Sequence, residues 1–341
     1  MPILMPKTFL KGVGAAMLFV TAGSVSAQSN QEVIQQLGSL VDDALLYSDK
    51  YVTPVVDAAV YQSVAGWVAT PKKRELFDVE LSVHANIFFV PKRDRRFTLS
   101  NSDLTFFQFE EGTAASVPTG FGNDDQYMLQ GQLGDGEVNI LTPEGIDMEQ
   151  VAYPYIQAAV GLWYGTDIIV KYSPKVNFRK REFQTYGAGI KHNISQYFGS
   201  LEEKDIHFSV LAAYSKENMS SNFLDVETDY GSLGISRIDG IVDTWQFQLN
   251  GSKEYGNFEF MGGIIVNTSD IKYEVGGEKG SIEEILPLQD VLNMRLREIY
   301  KTRVNTIGEA AATYRFNKFS VQAILAFGKF VNTNISLHYS I

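Results

Sequence analysis

The sequence predicts an all-β fold, a transmembrane up-and-down antiparallel β-barrel of about 12 to 14 strands, preceded by an N-terminal helical or irregular plug. Apolar and polar residues alternate over most of the chain, as the two faces of a strand require. The alternating segments run to about 9 to 12 residues, longer than the mean of about 5 to 6 for strands of soluble proteins. Short turns with Gly, Asn or Asp join several of them, so the chain runs up and down.

Residues 1–27 have the pattern of a secretory signal peptide. Two lysines precede an apolar run, and Val25-Ser26-Ala27 forms a small-residue cleavage site. The apolar run is shorter than the roughly 18 to 20 residues that a membrane-spanning helix needs. We therefore expect cleavage after Ala27 and export, rather than a retained anchor helix.

The chain after the signal peptide divides into two parts. Residues 28–75 start with apolar residues at helical spacing over Gln31–Leu46, which predicts an N-terminal helix and a hatch-like plug segment. Residues 76–341 are expected to form the barrel. Within them, helical spacing over residues 281–302 predicts a helix in a loop. The stretch 110–150, rich in Gly, Asp and Thr, predicts a long excursion, either an extracellular loop or a segment folded into the lumen.

The first barrel strand is predicted over Asp78–Val90, where one face is apolar from Val79 to Phe89. The polar residues of the other face are Asp78, Glu80, Ser82, His84 and Asn86. A soluble sandwich would expose this polar face to water, whereas a membrane barrel turns it toward the lumen. The long strands, and an alternation that continues to Ile341, favour the barrel. We therefore predict that these five polar residues face the lumen, where they hold the plug or line a pathway.

Composition excludes several kinds of function. The chain has no cysteine, which excludes cysteine-based catalysis, Cys-ligated metal and a lipoprotein anchor. Its formal net charge of -11 argues against nucleic acid as a partner, because phosphate binding needs clustered positive charge. After residue 27, no apolar stretch is long enough for a helical membrane span. No cofactor is expected.

Two His-x-Ser pairs could indicate catalysis, because residues i and i+2 of a strand share a face. The pairs are His207 with Ser209 and His338 with Ser340. A third polar partner and a surrounding enzyme motif are not recognisable, and alternating strands produce such pairs easily. We expect no enzyme. We also expect no metal site, because the four histidines lie in separate predicted strands without a ligand motif.

Charged loops are the remaining candidates. The acidic clusters 123–125 and 135–137 lack the spacing of a calcium-binding EF-hand loop and are expected to be solvated. Basic residues bracket strand ends at Lys92, Arg93, Arg95 and Arg96, and again at 179–181. They are candidates for contact with anionic lipid headgroups or lipopolysaccharide, although ordinary charged loops explain them equally well.

Four segments carry a resemblance to a known family. They are Tyr51–Pro54, Gly66–Pro71, Gly161–Asp167 and Gly187–Gln196. Together they resemble an uncharacterised family of Bacteroidota outer-membrane barrels, known only as a domain of unknown function and distantly similar to FadL-like long-chain fatty acid transporters. The resemblance implies a barrel with an N-terminal hatch inside its lumen, but it brings no ligand-binding motif.

Three functions remain open from the sequence. The first is an outer-membrane barrel for passive uptake or binding of a small hydrophobic molecule. The second is a structural or partner-binding barrel without an open channel, and the third is a soluble exported β-sandwich. The sequence does not name a substrate or an oligomeric state, because apolar specificity depends on pocket shape rather than on a motif.

Overall fold

The computed structural model describes residues 27–133, 136–178, 181–222, 227–228, 231–232, 237–279 and 288–341. The predicted signal peptide lies outside these ranges except for Ala27. Ten strands form a closed antiparallel barrel in which each strand pairs with its neighbours along the chain and the last strand pairs with the first. The barrel strands are β1 Val79–Phe89, β2 Gln150–Gly161, β3 Thr166–Phe178, β4 Arg181–Asn193, β5 Ile206–Asn222, β6 Arg237–Tyr255, β7 Phe258–Gly276, β8 Lys301–Phe316, β9 Phe319–Phe327 and β10 Val331–Ser340.

The prediction of an all-β barrel is confirmed, but the expected strand number of 12 to 14 is wrong. Strands β6 and β7 each contain 19 residues. Strands of this length use up the chain in fewer crossings of the wall. The short strands of residues 90–149 pair only with one another and do not enter the barrel.

The two faces of the barrel wall differ in polarity. Along β7, Phe260 and Ile264 are exposed on the outer face, whereas Met261 and Ile265 are buried on the inner face. The inner faces of most strands are polar, and the outer apolar band ends in exposed aromatic residues near the chain turns. Those near the turns after β2, β4 and β6 are Trp163, Tyr164, Tyr197, Phe198, Tyr255 and Phe258. This is the architecture of outer-membrane barrels, and the closed barrel makes the β-sandwich alternative wrong.

The two ends of the barrel have different connections. One end, called the short-turn end, has two-residue turns at Gly256-Asn257 and Asn317-Lys318. The other end, called the long-loop end, carries the excursion 90–149 between β1 and β2. It also carries the connection between β7 and β8, in which α3 Leu288–Leu296 and a 3-10 turn Arg297–Ile299 lie.

The long N-terminal helix, α1 Ala27–Val64, runs down through the barrel from the long-loop end. Near that end, Asp42 pairs with Arg295 of α3. Beyond the helix, Lys72 reaches Glu254 at the short-turn end, at 3.1 Å between Nζ and Oε2. The chain then reverses and enters β1.

The excursion 90–149 covers one side of α1 at the long-loop end. Its own strands are Arg96–Ser100, Gln108–Phe109, Ala114–Pro118, Met128–Leu133 and Gly136–Leu141. Leu40 and Tyr47 of α1 pack against the buried residues Leu99, Phe107 and Leu129 of these small sheets. On the opposite side, the helix packs against the upper parts of β6 and β7. The helix is thus enclosed above the apolar band as well as inside it.

The remaining short elements lie in the connections. They are α2 Gly199–Glu202, the 3-10 turns Lys92–Asp94, Asn101–Asp103, Trp163–Gly165 and Ser195–Tyr197, and two paired two-residue strands between β5 and β6, Glu227–Thr228 and Gly231–Ser232. None of the helices in the described ranges is long and apolar enough to cross a membrane.

Candidate functional site

The predicted polar face of β1 is found on the inner side of the wall for four of its five residues. Glu80, Ser82, His84 and Asn86 are buried, whereas their neighbour Val83 is 58% exposed on the outer side. Asp78 is different, because it precedes the strand and is exposed, with its carboxylate accepting the backbone N–H of Glu75.

His84 joins β1 to β10 on the inner side. Its Nδ1 lies 3.0 Å from Oδ1 of Asn334, which can only accept, so Nδ1 carries the proton. The Ser82 hydroxyl then donates to His84 Nε2 at 2.8 Å. The imidazole also stacks on the Tyr155 ring of β2, with 4.3 Å between ring centroids. One side chain therefore links three neighbouring strands.

A second serine–histidine unit lies directly across from the first. His338 Nε2 lies 2.8 Å from the Ser336 hydroxyl, and its Nδ1 lies 3.3 Å from Glu80 Oε1. Arg74, in the segment between α1 and β1, holds the same carboxylate through two hydrogen bonds. Burial alone would lower the pKa of Arg74, but the carboxylates of Glu80 and Asp167 raise it.

The His-x-Ser pairs named from the sequence are not the ones that the structure brings together. His338 bonds Ser336 rather than Ser340, which is exposed. Ser209 is buried without a described hydrogen-bond partner for its hydroxyl. The Ser336–His338–Glu80 chain has the geometry of an activated serine, but all three side chains are enclosed by the wall and the segment after α1. They act as hydrogen-bonded links in the lumen.

Lys171 of β3 anchors the C-terminal end of α1. Its ammonium donates to the carbonyl oxygens of Ser63 and Ala65, at 3.1 and 2.8 Å. It also lies 4.6 Å from the ring centroids of both Trp67 and Tyr155. A cation near the last carbonyls of a helix is favourable, because those carbonyls lack partners within the helix.

The segment after α1 is held by side chains from around the barrel. Among the described residues, seven of the ten strands reach the backbone of residues 61–72 with an inward side chain, six as donors to carbonyls and one as an acceptor. An eighth strand, β7, accepts the Thr70 hydroxyl through Glu259. The donors are Asn332, Tyr153, Tyr155, Gln157, Lys171, Lys191, Asn193, Gln246 and Gln322, and the acceptor is Glu309 for the N–H of Gly66. Gly66 has a φ of +73° and its missing Cβ would lie 2.5 Å from the Tyr155 hydroxyl, so glycine suits this turn.

The wall has a seam between β2 and β3. The two strands pair only from Ile156 with Tyr172 to the short-turn end, and residues 150–155 of β2 have no partner in β3. Pro154 and Pro174 lie where the ladder stops, and β3 has an irregular register with β4 at the same place. Proline has no N–H to give to a ladder. One side-chain bond replaces it, from the Ser173 hydroxyl to the Pro154 carbonyl at 2.8 Å.

A small cavity lies on the inner side of this seam. Its volume is about 10 Å³. Gln62 of α1, Val151 and Tyr153 of β2, Phe183 and Thr185 of β4, and Glu217 and Met219 of β5 line it. Glu217 is buried, and its Oε1 accepts the Thr185 hydroxyl at 3.0 Å.

A second cavity lies between α1 and the excursion at the long-loop end. It has a volume of about 70 Å³ and a largely apolar lining. The lining includes Tyr47, Leu104, Phe107, Leu129 and Ile140. An apolar cavity of this size can hold a short hydrocarbon segment, since one water needs only about 10 to 15 Å³ by the same measure.

The predicted basic cluster divides into engaged and exposed residues. Arg95 pairs with Asp147 and Glu149, and Arg96 pairs with Asp125. Lys92 and Arg93 are exposed beyond the outer end of β1, where Arg93 also contacts Asp94 and the Lys329 carbonyl. The second basic cluster falls on 179–181, where residues 179 and 180 lie outside the described ranges.

Metal-ligating side chains do not converge in the described residues, where no group of three or more His, Asp or Glu could hold an ion. His192 instead bonds the Thr166 hydroxyl and the Tyr197 hydroxyl on the outer side.

The seam and the cavity behind it were not found from the sequence. Pro154 and Pro174 were the available signal, because each interrupts an alternating segment that otherwise reads as a continuous strand. Lys171 and Glu217 were a second signal, because both are charged residues at strand positions that alternate with outward-facing ones. What the sequence could not show is that these four residues lie near one another.

Solved structures that match this chain include outer-membrane proteins of several kinds. The translocator domain of the autotransporter NalP from Neisseria meningitidis is 10% identical, with 86% of this chain and 98% of that chain covered and a TM-score of 0.35. An outer-membrane channel from Pseudomonas putida F1 is 9% identical, with 80% and 99% covered and a TM-score of 0.33. A Pseudomonas aeruginosa FadL homologue is 10% identical, with 74% and 60% covered and a TM-score of 0.29.

Comparison with curated proteins gave no match. A family model, described as a family of unknown function (DUF6588), matches residues 5–341. This agrees with the part of the resemblance that pointed to an uncharacterised family. Because the match spans nearly the whole sequence, the chain belongs to this family of unknown function.

Proposed function

We propose that the protein is an outer-membrane barrel, exported through a cleaved signal peptide, that binds a small hydrophobic molecule and passes it through the seam between β2 and β3. The gap in pairing between β2 and β3 is the observation that supports this proposal. It begins beside Ile156 and Tyr172, which are exposed on the apolar outer face. A molecule dissolved in the membrane would reach it without crossing water.

The route for water-soluble molecules along the barrel axis is obstructed. Carbonyls of residues 61–72 are bonded to side chains from opposite sides of the wall. This supports a hatch-like plug role for residues 28–75 and inward roles for Glu80, Ser82, His84 and Asn86 in holding it. The apolar cavity beside Tyr47 and Phe107 supports a second binding place on the long-loop side.

Lys92 and Arg93 are proposed to contact the phosphates of outer-membrane lipid or lipopolysaccharide. Both are exposed, and they follow Phe89, the last apolar residue on the outer face of β1. Cations just beyond the apolar outer surface lie at the level of the lipid headgroups, where they attract anionic groups.

A reversible cross-link tests passage through the seam. The chain has no cysteine, so the double variant Pro154→Cys/Pro174→Cys carries only the engineered pair. Uptake of radiolabelled dodecan-1-ol and dodecanoate by cells producing this variant is expected to fall at least several-fold on oxidation and to recover on reduction. Both states share the same substitutions, so loss of the prolines does not affect the comparison.

The matched control is Ala158→Cys/Val170→Cys, which places the pair at a register position where β2 and β3 are already bonded. Oxidation of this variant should leave uptake unchanged. Uptake of both compounds that continues unchanged through an oxidised seam would contradict the proposal.

A closed barrel that binds a partner is the second candidate. The number of bonds between the wall and residues 61–72 favours it, because such a lumen does not open at low cost. This candidate predicts no protein-dependent uptake of either compound in either redox state.

A further inference from the structure

We propose that the cavity behind the seam selects hydrophobic molecules whose polar end donates a hydrogen bond, such as an alcohol or amine, over carboxylates. The inference rests on the proposed function and names the ligand class for the same seam.

The size of the cavity fits a single polar atom. Its volume of about 10 Å³ is what one water-sized group occupies. A hydrocarbon tail cannot fit there and would extend outward between β2 and β3, past Pro154 and Pro174, into lipid. The occupant is therefore an amphiphile that enters with its polar end first.

The protein's own donors at the cavity are directed at protein acceptors. The Tyr153 hydroxyl donates to the Gln62 carbonyl at 3.0 Å, and Gln62 Nε2 donates to the Val151 carbonyl at 3.3 Å. The Thr185 hydroxyl donates to Glu217. Gln184 and Asn218 also line the cavity, but they alternate with inward residues and share the outward strand face of Tyr186 and Lys216.

What remains available at the cavity is acceptor capacity. A carboxylate offers about four lone-pair positions, and Thr185 fills one of those on Glu217. Glu217 forms no ion pair among the described residues, since the nearest inward lysine, Lys171, is bonded to the carbonyls of Ser63 and Ala65. An entering hydroxyl or ammonium would find an acceptor oxygen on Glu217 in either protonation state, whereas an entering carboxylate would leave a net negative charge in a buried place, whichever group holds the proton.

Equilibrium binding to the full chain in lipid nanodiscs tests the inference. The probes are radiolabelled dodecan-1-ol, dodecylamine and dodecanoate, which share one chain length, with empty nanodiscs subtracted. The wild-type protein is expected to bind the amine and the alcohol about tenfold more tightly than dodecanoate, the factor given by one hydrogen bond to a charged group.

The variant Glu217→Gln should reduce the preference for the amine over dodecanoate to within about twofold, because it removes the ionisable carboxyl group and offers a donor. Glu182→Gln is the matched control, since Glu182 lies on β4 outside the cavity and pairs with Lys175. Its preference should equal that of the wild type. If Glu217→Gln does not fold, the wild-type preference decides by itself.

Dodecanoate bound as tightly as the amine and the alcohol by the wild type, or an unchanged preference in Glu217→Gln, would overturn the inference while leaving passage of hydrophobic molecules intact. Absence of binding by all three probes would overturn both proposals.

Discussion

Single residues on the barrel wall act according to the face on which strand geometry places them. Val83 and His84 are neighbours in β1, yet Val83 is on the outer surface and His84 is fully enclosed. Successive strand side chains point to opposite sides. A substitution at one position therefore tests contact with lipid, and a substitution at the next position tests contact within the lumen.

Val83→Arg is expected to impair membrane assembly, because an arginine near the bilayer midplane costs about 2 to 4 kcal/mol in a barrel. The measurement is the folded fraction in lipid vesicles during urea titration. Val304→Arg is the control, because Val304 is exposed among the outward residues Thr302 and Thr306, outside the apolar band, where the cost is about 0 to 1 kcal/mol. Equal assembly of both variants would mean that Val83 does not face lipid.

At the scale of the element, α1 is attached to the wall by a line of charges. Asp42, Asp49 and Asp57 lie seven and eight residues apart, which places them on one helix face. Their partners are Arg295 for Asp42, Lys301 for Asp49, and Arg303 with Lys329 for Asp57. The acidic positions are visible in the sequence, but their basic partners are about 250 residues away, and only the closed barrel brings them together.

Asp57→Asn is expected to loosen the lower part of α1. The Asp57 side chain is 7% exposed and holds two cations, so its loss should cost about 1 to 3 kcal/mol, less than the 3 to 5 of a fully buried pair. Hydrogen exchange of the amides of residues 50–64 measures this as faster opening. Asp42→Asn is the matched control, because that side chain is 61% exposed and a surface pair contributes about 0 to 1 kcal/mol. If the amides of residues 50–64 exchange no faster in Asp57→Asn than in Asp42→Asn, the ion pairs of Asp57 do not hold the helix.

For the whole molecule, a closed barrel with an apolar exterior implies a membrane location. We expect the protein in the outer-membrane fraction, with faster gel migration when unheated than when boiled, because a closed ladder of ten strands resists detergent at room temperature. Recovery in the soluble periplasm, with no shift on heating, would contradict this location.

The alternation of polar and apolar residues by itself predicted β-strands, two unlike faces of the wall, and inward positions for Glu80, Ser82, His84 and Asn86. These are local properties, because the side-chain period of two is set by the backbone of one strand. The helical spacing of apolar residues over Gln31–Leu46 indicated the helix that precedes the barrel, and this spacing is also a local property of the chain.

The tertiary structure alone decided the strand number, the path of α1 and the seam. Each depends on pairing between distant residues: β1 meets β10 only when the barrel closes, and the register that stops at Ile156 and Tyr172 leaves residues 150–155 without a partner in β3. Pro154 and Pro174 each show in the sequence where a ladder bond is missing, but not that the two gaps lie opposite each other. Register is a property of two strands, and the cavity behind the seam also needs β4, β5 and α1. Alternation within one strand therefore could not predict either feature.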